Sequence, residues 1–426
     1  MFIHNIYKGN KPFNKNNKTI IVVVRKQPGE IDWILPVLDH INNKFNIIVI
    51  FEKKIAHVLL KENKILYNFF LNTVCCYFTH SLFKNFFLRF SHKILMKIGI
   101  SSLSYLNNRI YKNFYNLFEL ENSCNINNIS LKLDDVRVLM QDFTDNSPWI
   151  KKFFENNSKT KIVSYPHTTN IFGNLNNTKI KNKKKFEGKN FILINSKLDL
   201  KYLENKINNK NYFLCGYPKY DISWLKKIEK KFNFKKKSSF QERIFIAFKG
   251  FDPKFYDKSK YEHQLKSLFE YANYKKNCKL IFKFHPKAQE DKVFLNIANI
   301  YPKKIWEITK DHLHIGSKKS DIFVSFFRNA SILDGLASNK IPVELWNINN
   351  RDRNNLLKIK SYEKSHYSKL NLCISPSNNT EMIFIFDQLL NRRKIYKKNP
   401  IISFVQLCKT KKSIVRTSNF IKKVSS

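Results

Sequence analysis

Acidic residues are scarce in this chain: 33 Asp and Glu stand against 77 Lys and Arg, a formal net charge of +44 over 426 residues. That imbalance disfavours a cationic partner and attracts polyanions, whether nucleic acid, anionic lipid headgroups or a phosphorylated substrate. The excess is mostly Lys and comes with abundant Asn, Ile and Phe, the residues that AT-rich codons supply, so charge alone names no ligand. Cysteine is sparse and scattered, at Cys75, Cys76, Cys124, Cys215, Cys278, Cys373 and Cys408, with no CxxC pair. The odd number and the spacing speak against a disulfide framework or a zinc site and for a reducing compartment. Met1 to Lys18 is broken by Asn, Lys, Gly and Pro and lacks the apolar centre of a signal peptide, so a secreted product is not expected. No long apolar run exists either: Ile65 to Phe78 is interrupted by Asn68 and Asn72 and falls short of the roughly 20 residues a spanning helix needs. A zinc-finger, RRM or helix-turn-helix pattern is also missing, which disfavours a dedicated nucleic-acid binder.

What is present is apolar. Hydrophobic residues make up 43% and aromatics 15% of the chain, with 38 Phe, enough to build sizeable cores. At roughly 150 residues per domain, the length predicts two or three of them. Thr19–Val24 (TIIVVV) is a continuous β-branched run, the pattern of a strand buried on both faces of a parallel sheet. The loop Arg25–Glu30 follows, then Trp33, Ile34, Val37, Leu38 and Ile41 at helical spacing, then a second buried run at Phe45–Phe51, which together read as a βαβ unit. Ala56 to about Phe118 reads as two or three amphipathic helices, either packed on the core or with the basic, aromatic face between Phe78 and Lys97 lying on an anionic membrane surface. Further strands are predicted at Val136–Met140, Lys161–Tyr165, Phe191–Asn195 and Tyr212–Cys215.

The Lys-rich stretch 226–243 separates two regions that repeat this alternation, so it is expected to link domains spanning 19–225 and 244–399. In the second, Ile244–Phe248, Lys279–Phe284, Asp321–Phe326 and Ile341–Leu345 read as strands and Tyr261–Tyr274 as a helix. Residues 400–426 read as a basic helical tail able to fold back on the first domain, and 1–18 as a polar lead-in. The expected fold class is α/β, with two Rossmann-like doubly wound domains facing a cleft.

Ligands of such domains bind beyond the carboxyl ends of the strands. His285 follows a strand directly and Pro286 stops that strand, which aims the imidazole at the cleft, with Lys283 and Lys287 adding charge for a phosphate. Ser325, Asn329 and Ser331 join a strand to a helix, and with Asn329 as N-cap they would form a small anion site. Glu344 ends the next strand and suits a ribose. In the first domain His167 lies just beyond a strand, facing His285 across the cleft as a general base or phosphate contact, with Asp142 and Asp145 as carboxylate alternatives.

In this order the pieces resemble glycosyltransferase B-fold (GT-B) enzymes of bacterial surface-polymer synthesis, the CDP-glycerol glycerophosphotransferase, capsule Kdo-transferase and sialyltransferase group. The resemblance rests on Phe284-His285-Pro286, Ser320 to Ser325 leading to Asn329 and Ser331, Pro342-Val343-Glu344, Gly216-Tyr217-Pro218 with Asp221, and His167. It implies a nucleotide donor in the second domain, an acceptor in the first, and no metal or other cofactor; the chain carries no convincing DxD triplet. Arg328-Asn329 replaces the Ser-Ser pair of the teichoic-type enzymes and Thr168 the Gly after the first-domain His, which favours sugar transfer over glycerol-phosphate transfer. The expectation is a cytoplasmic transferase, peripheral on the inner face of the plasma membrane, using a CMP- or CDP-type donor and a glycan or lipid-linked acceptor. His285 and His167 would be catalytic, Lys283, His285, Ser325, Asn329 and Ser331 would hold the donor phosphate and Glu344 the ribose or base. Polyol-phosphate transfer, nucleotide-sugar epimerisation and non-enzymatic nucleic-acid binding are the alternatives.

Overall fold

The computed structural model of the chain describes residues 3–25, 28–81, 135–142, 159–166, 190–203, 211–232, 242–253, 257–285, 291–326, 329–345, 365–393, 395–396, 398–408 and 412–426. They form two lobes, each built on one sheet. In the first lobe the chain runs β1 (Ile3–Lys8), β2 (Lys18–Val24), α1 (Gly29–Ile41), β3 (Phe45–Phe51), α2 (Lys54–Glu62), α3 (Lys64–Thr73), β4 (Cys76–Ser81), β5 (Val136–Asp142), β6 (Lys161–Tyr165), β7 (Asn190–Ile194), α4 (Lys197–Leu203), β8 (Tyr212–Leu214) and α5 (Ile222–Phe232). The second continues with β9 (Glu242–Phe248), α6 (Lys258–Tyr274), β10 (Cys278–Phe284), α7 (Lys292–Ala298), β11 (Trp306–Ile308), α8 (Leu313–Lys318), β12 (Ile322–Phe326), α9 (Ile332–Ala337), β13 (Pro342–Leu345), α10 (His366–Lys369) and α11 (Asn379–Leu390). Two helices close the chain, α12 (Pro400–Cys408) and α13 (Ser413–Ser425).

Strand order in the first sheet is β1-β4-β3-β2-β5-β6-β7-β8, parallel except for β1, which pairs antiparallel with β4 at the edge. The second sheet is wholly parallel in the order β11-β10-β9-β12-β13. Both contain the doubly wound order 3-2-1-4-5, so each has a point where the winding reverses, between β2 and β5 and between β9 and β12. The strands of continuous apolar sequence lie at the centres, where helices cover both faces.

Some elements differ from the sequence reading. Of the stretch read as helical, Lys54–Glu62 and Lys64–Thr73 are helices, but Cys76–Ser81 is a strand beside β3. The polar lead-in contains β1, whose partner on one side only is β4, so its sequence carries no apolar run. Lys226–Phe232, within the Lys-rich stretch, belongs to α5.

Alternation along β9 divides the second lobe into two layers. Ile244, Ile246 and Phe248 join a core with α6, α7 and α11, while Phe245 and Ala247 face α8 and α9. Two glycines permit that second contact: a Cβ on Gly316 of α8 would sit 2.1 Å from the Phe245 ring, and one on Gly335 of α9 would sit 2.8 Å from Phe323. After the second lobe, α13 returns to the first, where Ile414 and Ile421 enter its core and Phe420 stacks on Phe213 at 4.5 Å. Between the lobes lies an apolar cluster of Tyr217 and Tyr220 from one side and Ile332, Leu333 and Leu336 from the other, joined by Phe404.

Candidate functional site

The two reversal points open onto a shared boundary. Asp32 sits in the first turn of α1, just after β2, and its Oδ1 lies 3.2 Å from Nε2 of His312, which follows β11. Lys310, also beyond β11, pairs with Glu62 of the first lobe at 3.8 Å. The carboxyl ends of both sheets therefore point at one interface, the arrangement in which ligands of doubly wound sheets bind.

Strand register assembles a row on the second-lobe side. Lys283 of β10 aligns with Ala247 of β9, Ala247 with Ser325 of β12, and Ser325 with Glu344 of β13. Adjacent members are about 4.8 Å apart, one strand spacing, and all face α8 and α9. The row is open at one end and closed at the other. Lys283 is half-buried and its Nζ reaches the Lys310 carbonyl at 3.4 Å; among the described residues it has no ion pair. Burial pushes its pKa down, against the longer-range pull of Asp311, Asp32, Glu62 and Asp334. His285 continues the β-ladder, its backbone N–H donating to the Phe248 carbonyl at 2.8 Å, with its side chain half-buried beside Lys283.

The two serines of the expected anion site are enclosed, while Asn329 is half-buried. Ser325 is fully buried and its hydroxyl is 3.2 Å from that of Ser331, itself 4% exposed. Ser331, not Asn329, occupies the N-cap position of α9; Asn329 Oδ1 accepts from the Ser331 N–H at 3.1 Å and so shapes the turn before the helix. Glu344 is also fully buried, with the Cys373 thiol 3.5 Å from Oε2. The strand-end position alone did not predict that burial. Of the expected donor-phosphate contacts, Lys283, His285 and Asn329 are half-buried rather than enclosed. Asp142 ends β5 at the first-lobe reversal point, buried and level with Tyr165 of β6. His167, Asp145, Lys287 and Arg328 lie outside the described residues, and with them the expected opposition of His167 and His285.

Sequence reasoning missed the polar cluster that joins the lobes. Lys219, just after β8, places its ammonium 3.1 Å from Asp32 Oδ2 and 3.1 Å from Asp334 Oδ1 of α9. The Tyr220 hydroxyl donates to Asp334 Oδ2 at 3.2 Å. His312 Nδ1 accepts from the His314 N–H, so Nε2 carries the proton and donates to Asp32. Burial opposes every charge here. For Asp32 the desolvation is outweighed by Lys219 and His312, and its carboxyl is held far below the usual range. Asp334 is raised by burial in spite of Lys219. Lys219 suffers the same desolvation, but its two carboxylates raise it above the ordinary lysine range. The one sequence signal was that Lys219 follows the strand-end Gly216-Tyr217-Pro218.

No family model matches this chain, and no curated protein does. Solved structures do. A UDP-GlcNAc 2-epimerase from Methanocaldococcus jannaschii, in complex with UDP-GlcNAc and UDP, aligns with a TM-score of 0.54 at 11% identity over 95% of this chain and 99% of its own. The UDP-GlcNAc 2-epimerase from Neisseria meningitidis bound to UDP-GlcNAc gives 0.53 at 11%, over 95% and 99%. Arabidopsis thaliana UGT89C1 complexed with UDP-L-rhamnose gives 0.56 at 11%, over 97% and 100%. At such identities the likeness establishes the fold: two Rossmann-like lobes facing a cleft, the GT-B architecture.

Proposed function

We propose that this chain is a nucleotide-sugar enzyme, and specifically a glycosyltransferase that moves a sugar from a nucleotide-activated donor to a hydroxyl of a surface glycan. The observation that carries the reading is Lys283 of β10, one strand away from the second-lobe reversal point, a half-buried lysine with no carboxylate partner among the described residues. An ammonium in that position suits an anionic ligand such as a donor phosphate. The first lobe differs in sign: the start of α1 carries Glu30 and Asp32, which repel a phosphate from that helix. The donor phosphate therefore sits on the second lobe, against Lys283 and His285, with Ser325, Asn329 and Ser331 supporting the turn above them.

In sugar transfer the bond between the anomeric carbon and the donor phosphate breaks, and the phosphate leaves with the electron pair. Lys283 neutralises that charge and His285 donates a hydrogen bond to the departing oxygen. The acceptor hydroxyl loses its proton to a first-lobe base, His167, with Asp142 or Asp145 as the carboxylate alternatives. The motif resemblance favours a CMP- or CDP-type donor, whereas the structural neighbours carry UDP ligands. A thermal-shift panel of CMP, CDP, UDP and GDP tests the reading: a rise in Tm with one of them that Lys283→Met abolishes is expected, and no response to any sinks it.

The epimerases among the structural neighbours favour a second reading. Epimerisation needs acid and base groups around the sugar carbon, and Asp32 and Asp334 are both committed to Lys219. Conversion of UDP-GlcNAc to its 2-epimer without an acceptor would decide for that alternative. Among the described residues no helix is long and apolar enough to cross a membrane; in this reading the basic surface carries the enzyme to an anionic bilayer, tested by sedimentation with anionic against neutral vesicles.

A further inference from the structure

We infer that the two lobes are pre-set rather than hinged, and that Lys219 is the positioning residue that sets the cleft. The polar chain crosses between the lobes three times, from His312 to Asp32, from Lys219 to Asp334 and from Asp334 to the Tyr220 hydroxyl, with Asp32 and Lys219 paired within the first lobe and His312 and Asp334 on the second. Opening the lobes would part Asp334 from Lys219 and Asp32 from His312 where little water can replace them: Asp334 is 5% exposed and His312 also 5%.

The helix that carries Asp334 is held at both ends. At the far end of α9, the Ser338 hydroxyl lies 2.8 Å from His314 Nδ1, and His314 Nε2 lies 2.8 Å from Glu229 of α5 in the first lobe. Lys318 reaches the same Glu229 oxygen at 3.3 Å. Between these clamps Ile332, Leu333 and Leu336 pack on Tyr217 and Tyr220. An interface with an apolar centre and buried ion pairs resists the relative motion that is the default for lobes joined by polar surfaces. Since α9 begins at Ser331, which touches Ser325 in the row with Lys283, the clamps also fix the turn beside the anion site. Lys219 touches none of the row and acts through α9.

The consequence for the site rests on the nucleotide reading above; the statement about the lobes does not. The test measures the radius of gyration of the full chain by small-angle scattering, with and without the nucleotide that gives the largest thermal shift. The variant is Asp32→Asn/Lys219→Met/Asp334→Asn, which removes three charges with little change in volume. The wild type is expected to keep its radius when nucleotide is added. The triple variant is expected to be larger alone, to contract with nucleotide, and to bind roughly ten-fold more weakly if its competent arrangement is populated about a tenth of the time. A role confined to stability would lower Tm without creating that ligand-dependent contraction. A wild type that contracts on binding, or a triple variant with unchanged radius and affinity, overturns the inference. If the triple variant does not fold, His312→Gln/Tyr220→Phe trims both ends of the chain without unpairing a charge, and the same outcomes decide. If no nucleotide binds the wild type, the functional reading fails, while the ligand-free radii still judge the lobes.

Discussion

Asp221 and Ile414, 193 residues apart, are joined by a hydrogen bond of 3.1 Å from the Ile414 backbone N–H to Asp221 Oδ2. The other oxygen of the same carboxylate accepts from the Ser223 N–H at 3.1 Å, so one side chain caps the starts of both α5 and α13. Each cap of this kind contributes about 1 kcal/mol. Asp221→Ala is expected to cost about 2–3 kcal/mol in denaturant unfolding, and Asp221→Asn, which retains one acceptor, about half as much. Equal losses for the two variants would contradict the double role.

Gly216 provides the space for that same helix. Its φ is +83°, and a Cβ there would lie 2.5 Å from Ser413 Oγ and 2.7 Å from Arg416 Nη2. Gly216→Ala is therefore expected to destabilise by about 1–3 kcal/mol and to raise hydrogen exchange across 413–425. Gly29, at the start of α1, has nothing within 4 Å of its would-be Cβ, so Gly29→Ala should be neutral or slightly stabilising. Reversed signs would show that backbone freedom matters where the space does not.

Lys283 predicts a separation of stability from binding. Removing a desolvated ammonium that lacks an ion pair relieves its burial, so Lys283→Met should keep or raise Tm while losing the nucleotide-induced rise. A fall in Tm with an intact nucleotide response would make Lys283 structural instead.

Two buried imidazoles predict acid sensitivity. His57 lies among Tyr7, Phe51 and Tyr77, and burial, with help from Lys61 and Lys54, pushes its pKa from 6.5 down to about 4. Burial moves His314 in the same direction, opposed by Glu229. Both folded values lie below the unfolded one, so the unfolded chain takes up protons first as pH falls. Stability is complete above pH 6.5 and declines from there through about 4. His57→Phe should flatten part of that decline in a Tm series, and His314 should account for much of the remainder; an unchanged slope would refute the assignment for His57.

Much of the fold was legible because centrally buried parallel strands must be apolar along their whole length. Phe45–Phe51 and Lys161–Tyr165 have the bounds the sequence suggested. The strands that escaped notice lack that constraint: Ile3–Lys8 is an edge, Trp306–Ile308 is three residues long, and Cys76–Ser81 continues the aromatic pattern of the helix before it. Strand-end logic also put His285 directly after β10, where it and Lys283 are half-buried.

Local pattern determined where strands and helices lie and which residues stand at strand ends, since periodicity and proline punctuation act over a few residues. Whether those strand-end groups are left open or enclosed was decided by tertiary structure. Glu344 and Ser325 are fully buried, Ser325 against the Ser331 hydroxyl at the start of α9 and Glu344 beside Cys373. Asp32 found Lys219 and His312, 187 and 280 residues away, because two sheets turn their carboxyl ends toward one boundary. The environment of a charge depends on what packs against it, and that comes from the other lobe.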